Sequence, residues 1–277
     1  MTPLIRLILP LTLLGGGCLL AAEPLRVLAS ADVPVTRDSS GTPAVVKPIE
    51  TLPASGQVFA PKKLGTLRTL LVGGGSSHDF ERLFHLADKE LLKGSGGADA
   101  VYTSNAEEAA GLLPEADVLV LSANHPSFGL SAFQNALKAF ADAGKGIVVV
   151  HAGTWYNWPP ATGYNTRIVG GGARGHGGGL FSVSQLGKAH PVLEGVDAKF
   201  EITDELYYPK FEPDAKVVVL AETSEDAKTK QKWPSVWVVE DGKARIACIA
   251  LGHGMQAHSN PAYQRLLTNA VNWVGGK

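Results

Sequence analysis

The chain has 277 residues, of which 45% are hydrophobic, and its 25 Lys and Arg residues nearly balance its 26 Asp and Glu residues. This length and composition favour one large domain with a full hydrophobic core. The balanced charge and the lack of a basic run argue against a surface that binds a polyanion, so we expect no nucleic-acid partner.

Residues 1–22 have the features of an export signal. Arg6 precedes an apolar stretch, and two alanines at 21–22 precede a candidate cleavage point. The apolar stretch is short and contains Pro10, so we expect no transmembrane span in the mature chain. Cys18 leaves lipoprotein anchoring as an alternative to plain cleavage. The sequence therefore predicts an exported protein, either periplasmic or secreted.

Residues 23–66 contain six prolines and little helical periodicity, which indicates an extended arm or linker. From 67 to 276, apolar runs alternate with amphipathic segments, as in an α/β domain with a mostly parallel sheet. The turn EDGK predicts a hairpin, so we expect antiparallel strands at one side of the sheet. The expected strands are 68–74, 98–103, 116–126, 146–153, 179–186, 215–222, 235–243 and 244–253, and the expected helices are 80–93, 106–113, 131–144 and 260–274.

Four of the eight histidines lie at or just beyond the carboxyl end of a predicted strand. Ligands of an open parallel sheet bind beyond the carboxyl ends of its strands, where loops on a rigid scaffold carry function. A histidine at a strand end is often only a hydrogen-bonded loop residue, but the recurrence at four strands favours a functional site. The four are His78, His125, His151 and His253.

His151 lies where a nucleophile elbow would place serine or cysteine, between a buried strand and the next turn. An imidazole there can act as an acid, a base or a metal ligand, whereas an acyl-enzyme on serine or cysteine is excluded. Cys248 lies in an apolar strand and is expected in the core. The glycines at 73–75 lack the Lys-Ser/Thr end of a phosphate loop, so we expect them to serve a sharp turn.

The segment ITDELYYP, residues 202–209, is either a solvated acidic turn or the source of a functional carboxylate, for which Glu205 is the preferred candidate. The aromatic residues of TWYNWPP suit stacking on a sugar, with a packed lid as the alternative. Further candidates for substrate binding lie at the same strand ends and in neighbouring segments. The candidate substrate-binding residues are Asp79, Asn124, His125, Trp155, Trp158, His176 and Tyr207.

Several segments occur in the order found in ThuA-like proteins, the trehalose-utilisation family, which the sequence resembles from 67 to 276. They include VGGGSSHD, VVVHAGTW, AHPVLEGV, TDELYY, PSVWVVEDGKARIACIALGH and NPAYQRLLTNAVNWVGG. The resemblance implies a three-layer, flavodoxin-like sandwich similar to class I glutamine amidotransferases. Those enzymes have a cysteine at the elbow, where this chain has His151, so amidotransferase chemistry is not implied.

The resemblance also implies a role in sugar metabolism, associated with disaccharides and their 3-keto forms. It maps a histidine-rich pocket onto His78, His151, Glu205 and His253. His176 follows a glycine segment that departs from the common pattern of the family, which leaves its role open.

Three hypotheses follow for these residues. The first is a hydrolase, lyase or isomerase that acts on a disaccharide or 3-keto sugar through acid–base chemistry of His78, His151, His253 and Glu205. The second is a metal-dependent hydrolase or lyase in which two or three of these histidines, with Glu205 or Asp79, hold zinc or another divalent ion, although no short HxH or HExxH spacing supports it. The third is a non-catalytic sugar-binding module. No cofactor is certain, and the oligomeric state is not indicated.

Overall fold

The structure is a computed structural model that describes residues 49, 51–95, 97–158 and 160–277. Residues Ile49–Lys277 form one compact unit. The predicted export signal and most of the proline-rich arm lie outside the described residues. Within the described residues, no helix is long and apolar enough to cross a membrane.

The described residues form nine strands in one sheet. The strands are β1 (Leu67–Gly74), β2 (Ala98–Thr103), β3 (Val118–Ala123), β4 (Gly146–Val150), β5 (Gly171–Gln185), β6 (Lys199–Phe211), β7 (Val217–Thr223), β8 (Pro234–Glu240) and β9 (Arg245–Ile249). Their order across the sheet is β2-β1-β3-β4-β9-β8-β7-β5-β6. Neighbours from β2 to β9 pair in parallel, and those from β9 to β6 pair antiparallel. This arrangement confirms the predicted mixed sheet, including the hairpin at EDGK.

Helices cover both faces of the sheet, as continuous apolar strands require. Strands β3 and β4 are buried along their whole length, so their side chains feed two hydrophobic clusters on opposite faces. Full burial of one large aliphatic side chain stabilises such a core by about 1.5–3 kcal/mol. The helices are α1 (Lys89–Gly94), α2 (Ala106–Leu112), α3 (Ser131–Asp142), α4 (Met255–His258) and α5 (Pro261–Val274), and a π-helical segment, Glu81–Asp88, leads into α1.

The long hairpin of β5 and β6 is the part of the fold that the sequence predicted least well. The expected strand in this region begins only at 179, but β5 already begins at Gly171. Residues 202–209 are not a solvated turn, because they pair with β5 as part of β6. Glycine and acidic residues have low strand propensity, so pairing and burial decide this structure.

Part of the predicted arm packs on the domain rather than standing away from it. Phe59 is buried in the core, and the backbone N–H groups of Ser55 and Gly56 donate to Glu108 at 2.9 and 2.7 Å. The amide of Gln57 accepts a hydrogen bond from the backbone N–H of Tyr102 in edge strand β2. This segment therefore covers an edge that would otherwise be open to pairing.

Candidate functional site

His151 occupies a strained turn at the end of β4. Its φ angle is +39°, a left-handed conformation that non-glycine residues adopt only at a cost of about 1–3 kcal/mol. Gly153 allows the turn, because a Cβ there would lie 2.5 Å from the carbonyl oxygen of Leu121. The His151 side chain is fully buried, and its Nδ1 donates a hydrogen bond to the carbonyl of Ala250 at 2.9 Å. Nε2 is therefore the ring nitrogen that faces the site.

His78 and His253 come from the loops after β1 and β9 and meet His151 at the carboxyl edge of the sheet. The Nε2 atoms of His78 and His151 lie 2.9 Å apart. The Nδ1 atom of His253 lies 3.1 Å from Nε2 of His78. Three imidazoles from three parallel strands thus face one another, which follows from the common direction of those strands.

Glu205 completes this cluster from β6, the antiparallel side of the fold. Its Oε2 atom lies 3.3 Å from Nε2 of His151 and 3.0 Å from Nδ1 of His253. Its other oxygen, Oε1, lies 2.5 Å from Nδ1 of His176, a side chain that is 53% exposed. The hairpin of β5 and β6 therefore brings a carboxylate over the histidines. We call His78, His151, Glu205 and His253 the four-residue cluster.

A second layer of polar contacts orients the histidines. The hydroxyl of Ser77 lies 2.6 Å from Nδ1 of His78, and it accepts a hydrogen bond from the Asn124 amide at 2.7 Å. Asp204 is buried and accepts hydrogen bonds from the backbone N–H groups of Gly252 at 2.8 Å and His253 at 2.9 Å. Each of the three histidines is thus held, through its ring or its backbone N–H, by a partner outside the cluster.

Electrostatics favour an uncharged ring at His78 and an ionised carboxylate at Glu205. Burial, followed by the charges of His151 and His253, lowers the pKa of His78 to about 3. Burial would raise the pKa of Glu205, but its hydrogen bond with His151 and the charges of the neighbouring histidines outweigh that effect and lower it to about 2. Burial and the nearby carboxylates raise the pKa of Tyr207, so its phenol stays protonated. At neutral pH His78 is an uncharged ring beside an ionised carboxylate.

The four-residue cluster fits a divalent metal ion. One ligand atom from each residue lies within 4.8 Å of all the others. Four of the six pairs among Nε2 of His78, Nε2 of His151, Nδ1 of His253 and Oε2 of Glu205 lie 2.9–3.3 Å apart. Tetrahedral zinc with bonds of about 2.0–2.1 Å separates its ligands by about 3.3 Å. Imidazole and carboxylate are also the donors that zinc prefers.

Some of the remaining candidate residues lie at the rim of the cluster, and the others have local structural roles. Tyr207 stacks on His151 with ring centroids 4.3 Å apart, and Trp155 packs edge-on against Tyr207. His125 accepts a hydrogen bond from the N–H of Ser127 and starts a short helical turn instead of joining the cluster. Trp158 donates to the carbonyl of His125 at 3.0 Å and packs within the domain.

Asp79 also has a local role, because its carboxylate accepts a hydrogen bond from the N–H of Arg82 at 3.1 Å at the start of the first helical segment. Sequence reasoning named Asn124 but missed Ser77 and Asp204. The serine before His78 in SSHD and the aspartate before Glu205 in DEL are visible in the sequence. Neither residue type predicts which backbone or ring atom its side chain contacts.

A second buried polar group, behind the cluster, was also missed. Nδ1 of His258 lies 2.7 Å from Asp88, and Tyr263 donates its hydroxyl proton to the same carboxylate at 2.9 Å. Nε2 of His258 donates to the carbonyl of Gly252 at 3.0 Å. The Asp88 and His258 side chains are 1% and 0% exposed. This group anchors the loop that carries His253.

The fold and the cluster define an α/β protein with a mixed nine-stranded sheet in its described residues and a histidine in the turn after β4. The chain belongs to the ThuA family, described as trehalose utilisation, whose profile matches residues 74–274. No curated protein matches the sequence of this chain.

Solved structures share this fold. A ThuA-like protein from Parabacteroides merdae ATCC 43184 has 22% identity and a TM-score of 0.66, over 76% of this chain and 91% of that protein. A ThuA-like protein from Bacteroides uniformis ATCC 8492 has 19% identity and a TM-score of 0.61, over 78% and 94%. The cytoplasmic protein STM3548 from Salmonella typhimurium has 15% identity and a TM-score of 0.53, over 75% and 99%.

Proposed function

We propose that this chain is an exported, metal-dependent enzyme that acts on a disaccharide or a 3-keto sugar. The observation that carries the proposal is the convergence of three imidazole nitrogens and one carboxylate oxygen at contacts of 2.9–3.3 Å. The sugar class rests on membership of a family described as trehalose utilisation. Export rests on the signal-like features of residues 1–22.

The arrangement of the donor atoms also supports a metal ion. Nδ1 of His151 is committed to Ala250, so Nε2 is the ring atom that faces Nε2 of His78 and Oε2 of Glu205. Lone pairs that face one another repel unless a proton or a cation lies between them. One divalent cation satisfies all four donor atoms together, whereas protons would have to be shared among them.

The residues around the cluster have distinct roles in such an enzyme. A bound divalent ion would supply Lewis acidity that polarises a carbonyl or hydroxyl oxygen of the sugar. His176 donates from Nδ1 to Glu205, so Nε2 is the ring atom that can accept a proton from a substrate carbon or hydroxyl. Ser77 and Asp204 fix the positions of His78 and His253, and Trp155 presents an aromatic edge at the rim.

Two measurements on one purified sample test the proposal. Elemental analysis should find a divalent metal bound to the folded chain. Incubation with a panel of disaccharides and their 3-keto forms should then give a new product that disappears after chelation and returns when the metal is added back. Turnover in metal-free protein would instead favour the acid–base hypothesis, and sugar binding without any product would favour the binding module.

A further inference from the structure

The hydroxyl group of Tyr207 has no hydrogen-bond partner within the described residues, although Tyr207 is only 5% exposed. We infer that this hydroxyl donates a hydrogen bond to a negatively charged oxygen of a ligand bound at the four-residue cluster. The ligand class that this assigns is a carbonyl compound, whose oxygen gains negative charge as it reacts. The inference rests on the proposed function and adds a catalytic residue to it.

The other buried tyrosines of the described residues each have a partner for their hydroxyl. They donate to a backbone carbonyl or a carboxylate at 2.6–3.4 Å, and the four are Tyr102, Tyr164, Tyr208 and Tyr263. A buried tyrosine normally finds such a partner, because an unsatisfied hydroxyl costs free energy. Tyr207 is the exception, and it is also the buried tyrosine whose ring stacks on a residue of the cluster.

The Tyr207 hydroxyl has no protein partner, but it is not sealed from water. Within the described residues, the buried side-chain atoms that lack both solvent contact and a partner are Nε of Arg68 and the hydroxyl oxygens of Ser122 and Ser235. The Tyr207 oxygen is not one of them, so it keeps contact with solvent. Water can therefore satisfy it in the free protein, and a ligand oxygen can displace that water.

Packing fixes the Tyr207 ring beside the cluster before any ligand binds. The ring stacks on His151 with centroids 4.3 Å apart and an angle of 24° between the planes. Trp155 packs against it edge-on at 5.2 Å. His176 lies opposite Tyr207 on β5, and Glu205 lies two residues before it on β6, so these side chains share one face of the hairpin. A donor held in this way costs little reorganisation when charge develops nearby.

A phenol suits this role because it donates a hydrogen bond without giving up its proton. The ordinary pKa of a tyrosine hydroxyl is about 10, so the group is a donor at neutral pH. Negative charge develops on a carbonyl oxygen when water attacks its carbon or when a proton leaves the neighbouring carbon. A donor near that oxygen stabilises the charge. The hydroxyl proton stays on Tyr207 throughout, so the step needs no further acid.

The experiment uses acetohydroxamate as a probe, because its negatively charged oxygen binds metal ions. Calorimetric titration of zinc-loaded protein should give about tenfold weaker binding to Tyr207→Phe than to wild type, the factor expected for one hydrogen bond to a charged group. The zinc content and the unfolding temperature should not fall, because the removed oxygen bonds to no described protein group.

Tyr208→Phe is the matched control. Tyr208 is the next residue of β6 and faces the opposite side of the strand, where its hydroxyl donates to Asp226 at 3.2 Å. This variant should have a lower unfolding temperature, because it loses that hydrogen bond, but its affinity for acetohydroxamate should match that of wild type.

The remaining outcomes separate this inference from the proposed function. Equal affinity of zinc-loaded wild type and Tyr207→Phe for acetohydroxamate, binding to neither, or an equal loss in Tyr208→Phe would overturn the inference without contradicting the metal centre. A loss of zinc from Tyr207→Phe would also overturn it, because the hydroxyl would then act on the metal site. Wild type that takes up no zinc would contradict the proposed function. The inference then stands only if metal-free wild type binds acetohydroxamate more tightly than Tyr207→Phe does, and it is overturned otherwise.

Discussion

The Nε2 atoms of His78 and His151 lie 2.9 Å apart although the two residues are 73 positions apart in the sequence. Strands β1 and β4 deliver them to the same edge, and Nδ1 of His151 is already bonded to a carbonyl. A ring pair in this geometry needs one positive centre between its nitrogens, either a proton or a metal ion. The low pKa of His78 means that this ring is uncharged at neutral pH, so it can offer a lone pair to a metal ion.

The first prediction concerns the metal content of His151→Ala. Wild type should bind about one divalent ion per chain, as expected for a single tetrahedral site, and the variant should bind almost none. Elemental analysis after dialysis against zinc measures this. His125→Ala is the matched control, because His125 also follows a strand but lies outside the four-residue cluster. Equal metal content in the two variants would contradict the assignment.

Metal should also stabilise the wild-type fold. A ligand that binds only the native state at 100 times its Kd adds about 2.7 kcal/mol to the free energy of unfolding. The unfolding temperature of wild type and His125→Ala should therefore rise with zinc and fall with chelator. His151→Ala should show no such difference, and a zinc-dependent shift in this variant would point to another binding site.

The second prediction concerns Ser77, whose hydroxyl contacts Nδ1 of His78. Loss of such a partner of a metal-binding histidine typically lowers metal affinity 10–100-fold. We expect Ser77→Ala to bind zinc about tenfold more weakly than wild type in a competition titration with a chelating dye. Ser76→Ala is the control, because Ser76 is exposed in the same loop and makes no hydrogen bond within the described residues. Equal affinities would show that Ser77 does not support the ring.

The third prediction concerns Asp204→Asn. Both carboxylate oxygens accept backbone N–H groups, from Gly252 and His253. An amide has one oxygen, so one buried N–H would face an NH₂ group and lose its acceptor, at a cost of about 1–3 kcal/mol. Denaturant unfolding should show this loss, and zinc affinity should fall because the His253 loop is less well held. Asp214→Asn, at an exposed acid, should change neither quantity.

The sequence predicted the central sheet well because its strands are continuous aliphatic runs whose burial is encoded locally. It also predicted that histidines would gather at one edge. It could not predict that His125 turns away, since that depends on a cap formed with Ser127. The sequence pattern does not determine the register between β5 and β6, so the pairing of Gly178 with Glu205 could not be predicted.

The buried polar group behind the cluster was missed for a related reason. Asp88 and His258 are 170 positions apart, and each falls in a helical segment where a polar residue usually faces water. Only the packing of α4 and α5 against the π-helical segment brings them together. Local periodicity carries no information on such a long-range pair.

The fourth prediction concerns pH and the buried pair of Asp88 and His258. Burial opposes a charge on His258, but the hydrogen bond and the charge of Asp88 prevail and raise the pKa of His258 above its ordinary value of 6.5. The native pair therefore retains a proton that the unfolded chain releases. Its contribution is fully present below pH 6.5 and is lost as pH rises through the raised native pKa, with a slope of at most about 1.4 kcal/mol per pH unit.

Denaturant titrations of chelator-treated protein from pH 6 to pH 9 measure this contribution as the difference between wild type and His258→Gln. The variant should be less stable at pH 6 by about 3 kcal/mol, since breaking a buried pair leaves Asp88 without its partner. The difference should shrink as pH rises, because wild type loses the proton of the pair. Burial raises the pKa of Asp88, which can therefore hold a proton in the single variant, so Asp88→Asn/His258→Gln is measured as the reference in which neither residue titrates. A stability difference that stays constant from pH 6 to pH 9 would show that the pair does not hold the proton. A stability difference that grows with pH would show that the pKa of His258 is lowered instead of raised.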